Sequence, residues 1–232
     1  MNDCISSLRT SSRLKPSGIY CLTSDNLRIS HSKQIELLCF HGVKLIQLRS
    51  KTLGYEDLVR ETKISVEICN AYGVDLIVND HPEIAAKCGA AGVHLGCHDV
   101  CPRQARKMLG DDSIVGVTVH SLFEANDLNL SDCDYAGLGP FRGTMTKPEL
   151  KPQLSLNKFI EVISLLSPLP VYLIGGLDVN DFKIAKKIGA TGIALCSALF
   201  EGDKLCEDFI TELVAESLSW QKNSMDFYNG KS

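Results

Sequence analysis

The strongest constraint on the fold is a regular alternation of short apolar runs with longer amphipathic segments along almost the whole chain. The apolar runs predict strands at 19–22, 44–48, 75–78, 92–95, 114–119, 135–138, 170–174 and 193–195. The segments between them have helical spacing and predict helices at about 32–40, 55–72, 82–88, 103–109, 122–128, 156–166 and 179–188, and from about 198 toward 220. Continuously apolar strands are typical of parallel sheets that are covered on both faces. Repeated strand–helix units therefore predict an α/β fold.

A (β/α)8 barrel and a doubly wound open sheet both contain such units, and the number of units favours the barrel. An open sheet of the nucleotide-binding type needs a glycine-rich turn after its first strand, but the chain has Thr23-Ser24-Asp25-Asn26 there. No linker or change in composition divides the chain. We therefore predict a flexible N-terminal extension at 1–17, one barrel domain at 18–220 and a C-terminal tail at 221–232.

Composition excludes several classes of protein. With 44% hydrophobic and 22% charged residues, the chain is in the globular range rather than the disordered one. Its formal net charge of −4 argues against general nucleic-acid binding, and no apolar run approaches the roughly 18 residues of a membrane span. Most of the 10 cysteines lie in apolar patterns, as reduced thiols do, and no signal-peptide core is seen. We expect a cytoplasmic protein, with a transit peptide at 1–17 as the alternative.

Two cations and an amide follow the second predicted strand, at the end where the active site of a barrel lies. They are Gln47, Arg49 and Lys51, which the alternation of a strand places on one side. Two cations at the barrel mouth form a clamp for phosphate or carboxylate. A solvated strand end with surface charges is the alternative.

Two acids follow the neighbouring strands. Asn79 and Asp80 end the third strand, and Asp99 comes shortly after the fourth. Two carboxylates at adjacent strand ends can share Mg²⁺, which typically takes one or two carboxylates and adds water and substrate phosphates. In the alternative interpretation, Asp80 caps the helix that begins near Pro82 and Asp99 starts the next turn.

A second anion site is predicted at the ends of strands seven and eight, at Gly175, Gly176, Cys196 and Ser197. The long loop after strand six adds Thr144, Thr146 and Lys147. Hydroxyls and an ammonium in a long loop suit closure on a phosphate-bearing substrate. Glycine amides and a helix N-terminus match the usual phosphate site of a barrel. A surface loop, a tight turn and a helix cap are the alternatives. Two anion sites predict two phosphate-bearing substrates, one of which carries a leaving group.

The same segments give the chain a family resemblance. It resembles the family of thiamine-phosphate synthases and thiazole tautomerases over most of its length, through QLRSK (47–51), ND (79–80), GVHLGCHD (92–99), GVTVH (116–120), DYAGLGPFRGTMTK (134–147), IGGL (174–177) and GIALCSAL (192–199). The resemblance implies a (β/α)8 barrel, in agreement with the strand count. It also implies that 4-amino-2-methyl-5-hydroxymethylpyrimidine diphosphate loses pyrophosphate, through a pyrimidine carbocation, and that the nitrogen of a thiazole phosphate attacks the methylene carbon.

The resemblance further implies a role for each matching residue. The Mg²⁺ ligands would be Asp80 and Asp99. The catalytic residues would be Arg49, Lys51, Lys147 and Thr118, of which Thr118 contacts the pyrimidine and the three cations bind the diphosphate. Gln47 and Asn79 would assist at the diphosphate. The thiazole phosphate would be surrounded by Thr144, Thr146, Gly176, Cys196 and Ser197. Since the thiazole nitrogen is already a nucleophile, positioning and charge stabilisation would suffice without a general base.

The chain departs from the family pattern at two places. Thr118 stands where the family usually has Ser, which keeps the hydroxyl and adds a methyl. Cys97 and His98 replace a more usual polar pair and create the spacing His94-x-x-Cys97-His98-x-x-Cys101. This spacing raises the alternative of a zinc site. Because the spacing is crowded and His94 belongs to the family pattern, we expect no stoichiometric zinc.

Two alternative functions remain for the predicted barrel. His120 is similar to a histidine of the tautomerase branch, although synthases have an aligned histidine too. The paired acids and the complete Thr-x-Thr-Lys segment favour the synthase. A non-catalytic barrel that binds a phosphate ligand is the second alternative, but it would need neither the metal pair nor cations for a leaving group. We expect small-molecule partners only, and a homo-oligomer is compatible with the sequence.

Overall fold

Eight parallel strands pair in chain order, and the first pairs with the last, so that the sheet closes into a barrel. The structure is a computed structural model that describes residues 14, 17–142, 154–178 and 180–228. The barrel strands are β1 (Ile19–Leu22), β2 (Leu45–Leu48), β3 (Asp75–Asn79), β4 (Gly92–Leu95), β5 (Ile114–Val119), β6 (Tyr135–Leu138), β7 (Val171–Ile174) and β8 (Gly192–Leu195). The helices are α1 (His31–Phe40), α2 (Tyr55–Tyr72), α3 (Pro82–Cys88), α4 (Pro102–Leu109), α5 (Leu122–Asp127), α6 (Leu156–Leu166), α7 (Asp181–Lys187) and α8 (Glu207–Tyr228). The (β/α)8 prediction is confirmed.

The strands carry two rows of side chains, because successive residues of a strand point to opposite faces. The outer row packs beneath the helices and is apolar, as Val171 and Leu173 illustrate on β7. The inner row fills the barrel, and Tyr172 between those two residues belongs to it. This double burial explains why the strands read as continuous apolar runs in the sequence.

Three fully buried tyrosines form the centre of the inner row. The rings of Tyr20, Tyr135 and Tyr172 meet edge to face, with ring centroids 5.6 to 5.9 Å apart. Inward-facing glycines make the room that these rings need. A Cβ atom built on Gly116, for example, would lie 2.0 Å from a ring carbon of Tyr135. Leu14, which falls in the predicted N-terminal extension, is buried in the same inner cluster.

The chain after β8 differs from the prediction of a helix that starts at about 198. A single 3₁₀ turn (Ser197–Leu199) leads into a two-stranded ribbon, β9 (Phe200–Glu201) and β10 (Lys204–Leu205), and α8 begins only at Glu207. The two-residue turn between the ribbon strands contains Gly202 at φ 59°, a conformation that glycine adopts without a steric penalty. Since α8 extends to Tyr228, it continues past residue 220, where the predicted domain ends.

Within the described ranges, no helix has the length and apolar character that a membrane crossing requires.

Candidate active site

The loops that follow β2, β3 and β4 bring one cation and two acids together at the mouth of the barrel. The Lys51 ammonium forms an ion pair with the Asp80 carboxylate. The Asp80 and Asp99 carboxyl groups are close enough for each to shift the pKa of the other. The structure thus joins three of the predicted site residues into one cluster, which we call the acid cluster.

The two acids of this cluster have pKa values that shift in opposite directions. Burial tends to raise the pKa of Asp80, but hydrogen bonds from Lys51 and Asp99 hold that pKa below its ordinary value. Burial also raises the pKa of Asp99. The hydrogen bond from the Gly96 backbone N–H lowers this pKa, but the neighbouring Asp80 charge raises it further. Two neighbouring carboxylates repel each other, and this repulsion disfavours the charged form of one of them. A divalent cation bound by both carboxylates would relieve the repulsion.

The backbone directs Asp80 toward the mouth rather than onto the next helix. Asp80 has φ 65°, and it is the one non-glycine residue with positive φ in the described part of the chain. Its backbone N–H donates to the carbonyl of His94 at 2.8 Å, which fixes this conformation on β4. The N-cap position of α3 is His81, without a side-chain cap hydrogen bond. The alternative interpretation of Asp80 as a helix cap is therefore wrong, and residues held in such sparsely populated conformations cluster at functional sites.

The donor set of the acid cluster fits Mg²⁺ better than zinc. It offers carboxylate oxygens, and within the described residues no three or more His, Cys, Asp or Glu side chains gather around one point. Mg²⁺ takes few protein ligands and retains water and phosphate oxygens. The four residues whose spacing suggested zinc do not face one point. The His94 ring is hydrogen-bonded inside the barrel to Tyr135 and Thr118, whereas Cys97 and Cys101 are exposed.

A third carboxylate, Asp25, supports the loop that carries the predicted cations. Its Oδ1 accepts hydrogen bonds from the Ser50 and Thr52 hydroxyls at 2.5 and 2.9 Å. Its Oδ2 accepts from the Lys51 backbone N–H at 2.7 Å. Each of these bonds closes the turn after β2. The position of the Lys51 side chain therefore depends on an acid that sequence reasoning missed.

His31 connects this support to the end of β1. Its Nε2 lies 3.1 Å from Asp25 Oδ1, and its Nδ1 lies 2.7 Å from the Thr23 hydroxyl. The same hydroxyl accepts the backbone N–H of Arg49 at 2.9 Å. The only sequence signal for this support was the polar run 23–26 after the first strand, which served above only to exclude a nucleotide-binding turn.

The three predicted residues of β2 do not act as one row. β2 ends at Leu48, and the Gln47 side chain is buried against the Tyr20 hydroxyl at 2.6 Å. Lys51 is exposed and paired with Asp80. Among the residues that the structure describes, no carboxylate lies within ion-pair distance of the Arg49 guanidinium. Arg49 therefore offers a charge that is not already neutralised by a carboxylate of the described chain.

Asn79 and Thr118 face the interior just below the mouth. The Asn79 amide nitrogen is buried and has no hydrogen-bond partner in the described chain. Burying such a donor costs free energy unless an acceptor arrives, so this atom fits a ligand-binding position. The Thr118 hydroxyl lies 2.8 Å from His94 Nε2. Gln47, Asn79 and Thr118 thus line the interior side of the site.

The predicted second anion site is built from backbone. Gly175 and Gly176 follow β7 with φ values of 99° and 62°. A Cβ atom on Gly176 would lie 2.9 Å from the Cβ of Arg142, so only glycine fits there. The Arg142 backbone N–H donates to the Gly175 carbonyl, and its guanidinium donates to the Gly176 carbonyl and pairs with Asp181. This turn is held against the segment that follows β6.

Strand β8 contributes the remaining described residues of this second site. Burial raises the pKa of the Cys196 thiol, which donates to the Thr23 carbonyl at 3.7 Å. Ser197 is exposed and opens the 3₁₀ turn, so a long helix N-terminus is not present at this place. Thr144, Thr146 and Lys147 lie outside the described residues.

His120 follows β5 and lies against β6. Its ring Nδ1 is 2.5 Å from the carbonyl of Gly139, which can only accept, so the proton is on Nδ1. Its backbone N–H donates to Glu124 at 2.6 Å, at the start of α5. The ring orientation is therefore fixed by the fold.

Sequence comparison relates the chain to one family. Residues 19–199 match the family model described as thiamine monophosphate synthase. A thiamine-phosphate synthase of Azorhizobium caulinodans is 39% identical over 184 residues, which are 78% of this chain and 86% of the relative. A thiamine-phosphate synthase of Fusobacterium nucleatum is 32% identical over 203 residues, covering 87% of this chain and 97% of the relative.

Comparison of structures agrees on the fold. Thiamine phosphate pyrophosphorylase from Pyrococcus furiosus superposes with a TM-score of 0.75 at 24% identity, covering 88% of this chain and 98% of that one. At this identity the likeness supports the barrel architecture.

Proposed function

The chain belongs to the thiamine monophosphate synthase family, and we propose that it joins a pyrimidine to a thiazole phosphate to form thiamine phosphate. The substrates would be 4-amino-2-methyl-5-hydroxymethylpyrimidine diphosphate and a thiazole phosphate, and pyrophosphate would leave. The enzyme would thus be a transferase of the pyrimidinylmethyl group. The observation that best supports this chemistry is the acid cluster, in which the Lys51 ammonium pairs with Asp80 and the nearby Asp80 charge raises the pKa of Asp99.

At the diphosphate end, the first requirement is to stabilise the charge of the leaving group. Asp80 and Asp99 would hold Mg²⁺, which when bound would neutralise the diphosphate as its bond to carbon breaks. Arg49 would bind a phosphate oxygen directly, since no described carboxylate competes for its guanidinium. Lys51 would exchange its contact with Asp80 for one with the diphosphate. Lys147 would add a third cation.

At the pyrimidine end, the requirement is orientation. The buried amide nitrogen of Asn79, for which the resemblance implies a role at the diphosphate, would instead donate to the pyrimidine from the interior side and thereby gain the partner that it lacks among the described residues. Gln47 and Thr118 would bind the ring from the barrel interior. Holding the methylene carbon at a fixed distance from the incoming nitrogen turns an encounter of two molecules into a step within one complex.

At the thiazole end, the phosphate would be held mainly by backbone. The missing Cβ atoms of Gly175 and Gly176 let this turn pack against Pro140 and Arg142, and the turn would present its main chain to the phosphate. Cys196, Ser197, Thr144 and Thr146 would complete this site. A neutral Cys196 thiol suits a position beside an anion, where a thiolate would repel it.

A single assay tests the proposed activity. The purified full-length chain is incubated with both substrates and Mg²⁺, and thiamine phosphate and pyrophosphate are quantified together. We expect equal amounts of the two products, and none when either substrate or the metal is omitted. Absence of thiamine phosphate under all conditions would reject the proposal. Isomerisation of a thiazole carboxylate phosphate without thiamine phosphate would instead indicate the tautomerase branch, to which His120 is similar.

We further propose a cytoplasmic location. The described cysteines are all free thiols, as in proteins of a reducing compartment. Cell fractionation tests this proposal, and the mass of the native protein in solution decides whether the chain forms the homo-oligomer that the sequence allows.

A further inference from the structure

We propose that a buried hydrogen-bond network in the barrel interior fixes which atoms donate and which accept toward the pyrimidine, a role that rests on the proposed function. The network consists of five side chains from five strands: Gln47, Tyr20, Tyr135, His94 and Thr118. We call it the interior network. Tyr20, Tyr135 and His94 would be positioning residues, since they act on the substrate only through Gln47 and Thr118.

Short contacts connect all five members of the network. The Gln47 amide nitrogen is 2.6 Å from the Tyr20 hydroxyl, which is 2.7 Å from the Tyr135 hydroxyl. The Tyr135 hydroxyl is 3.0 Å from His94 Nδ1, and His94 Nε2 is 2.8 Å from the Thr118 hydroxyl. All members except Thr118 are buried. The network therefore connects two residues of the predicted site through the core of the barrel.

Each hydrogen bond of the network can be assigned a donor and an acceptor, and all of them then donate in the same direction along the network. The Gln47 amide N–H donates to the Tyr20 oxygen, so the Tyr20 proton is directed to Tyr135. The Tyr135 proton is then directed to His94 Nδ1. A neutral imidazole whose Nδ1 accepts has its own proton on Nε2, and that proton goes to Thr118. The Thr118 hydroxyl proton is left to donate toward the mouth.

The reverse arrangement is unfavourable in this fold. If Tyr135 donated to Tyr20, the Tyr20 proton would have neither Gln47 nor Tyr135 as an acceptor. A buried donor without an acceptor costs free energy. Burial also raises the pKa values of both phenols above their ordinary range, so each retains its proton at neutral pH. The direction from Gln47 to Thr118 is therefore the one in which each phenol donates one bond.

The two ends of the network consequently have opposite polarity. Gln47 on β2 would present its amide oxygen as an acceptor, and Thr118 on β5 would present its hydroxyl as a donor. A 4-aminopyrimidine has the complementary pattern, with an amino group that donates on one side and a ring nitrogen that accepts on the opposite side. The network would thereby select an amino-substituted ring over an oxo-substituted one, which would present an acceptor to Gln47.

The decisive measurement is the tautomer of His94 in the substrate-free wild-type protein. Uniformly ¹⁵N-histidine-labelled full-length protein is examined by NMR, and the His94→Gln variant identifies the two ring nitrogens of His94. We expect a neutral ring with its proton on Nε2. A proton on Nδ1 would overturn the proposed direction. Because this measurement needs no substrate and no turnover, it is independent of the proposed enzymatic activity.

Kinetics test whether the network acts on the pyrimidine. Tyr135→Phe removes the central hydroxyl and keeps the ring, and we expect KM for the pyrimidine diphosphate to rise on the order of tenfold. KM for the thiazole phosphate should stay within twofold. Tyr172→Phe is the matched control, because Tyr172 is equally buried and contacts both rings, but its hydroxyl accepts from the Ser17 backbone outside the network.

Equal kinetic effects of Tyr135→Phe and Tyr172→Phe would reject the network as a positioning device. So would an equal rise of KM for both substrates in Tyr135→Phe. If Tyr135→Phe does not fold, Tyr20→Phe breaks the network one member earlier and is judged by the same two criteria.

Discussion

The two halves of the barrel mouth are built in different ways. On the side of β2 to β4, charged side chains face one another, since Lys51 pairs with Asp80 and the Asp80 charge acts on Asp99. On the side of β6 to β8, the described part of the site is main chain, with Gly175 and Gly176 packed against the segment after β6. One half is thus defined by electrostatics and the other by close packing of the backbone.

This difference predicts how each half responds to substitution. Changing a charge on the acid side should alter metal dependence and rate while the fold persists, because these side chains lie at a partly exposed mouth. Adding atoms on the glycine side should cost stability and substrate affinity together, because the added Cβ has no room. Substitutions in the two halves should therefore differ in whether they lower the stability of the fold.

The largest effect is expected from the acid cluster. Asp80→Asn and Asp99→Asn each remove one charge without changing size, and turnover should fall on the order of a hundredfold or more, because stabilisation of the leaving group is weakened. The Mg²⁺ concentration for half-maximal rate should also rise. Steady-state rates over a Mg²⁺ titration measure both quantities.

Asp57→Asn is the control for this pair, since Asp57 is an exposed acid paired with Arg60 on α2. Its rate and Mg²⁺ dependence should match the wild type. Near-wild-type behaviour of both cluster variants would show that the metal is held elsewhere.

An intermediate effect is expected from Gly176→Ala. The new methyl would meet the Cβ of Arg142 at 2.9 Å and would force an alanine to φ 62°. The free energy of unfolding should fall by about 1–3 kcal/mol, and KM for the thiazole phosphate should rise while KM for the pyrimidine diphosphate stays constant. Urea unfolding and steady-state kinetics give the two results.

Gly202→Ala separates backbone strain from packing in that experiment. Gly202 has a similar φ of 59°, but nothing lies within 4 Å of its Cβ position. It should lose less stability than Gly176→Ala and leave both KM values unchanged. If the two variants behaved alike, the contact with Arg142 would have no role in the site.

The sequence predicted the barrel because each strand buries both faces, and that leaves a continuous apolar run. The same reasoning predicted Pro82–Cys88 and Gly92–Leu95 at their observed bounds. The prediction failed after β8, where apolar spacing suggested one helix and Gly202 instead turns the chain into a ribbon. The spacing of apolar residues predicts the structure of a whole segment, and it is not sensitive to a single residue at which the chain reverses direction.

The candidate site divides in the same way. The acids at 80 and 99 could be predicted because they directly follow adjacent strands, and parallel strands bring such positions together. The supporting residues Asp25 and His31 were missed although β1 pairs with β2 in the same way, because the polar run 23–26 was used only to exclude a nucleotide-binding turn. Gln47 was placed with the cations because strand alternation was continued past Leu48, where β2 ends.

The smallest effect is expected from Asp25→Asn, and its pH dependence identifies its cause. Burial tends to raise the pKa of Asp25, but hydrogen bonds from Ser50, Lys51, Thr52 and His31 hold it below its ordinary value. A carboxyl whose pKa is lower in the folded state stabilises that state above the unfolded value of about 3.9, and this contribution is lost as pH falls through the folded value. Asp25→Asn should therefore destabilise by about 1–2 kcal/mol at pH 7, and its difference from wild type should shrink below about pH 4.

Urea unfolding at several pH values, with the exposed Asp57→Asn as reference, measures this difference. If the loss of unfolding free energy in Asp25→Asn stayed constant across the acid range, Asp25 would act by shape rather than by charge. Because the lost bonds position Lys51 rather than the glycine turn, KM should change severalfold for the pyrimidine diphosphate and remain constant for the thiazole phosphate. A change confined to the thiazole phosphate would place the influence of Asp25 on the other half of the mouth, where Thr23 contacts Cys196.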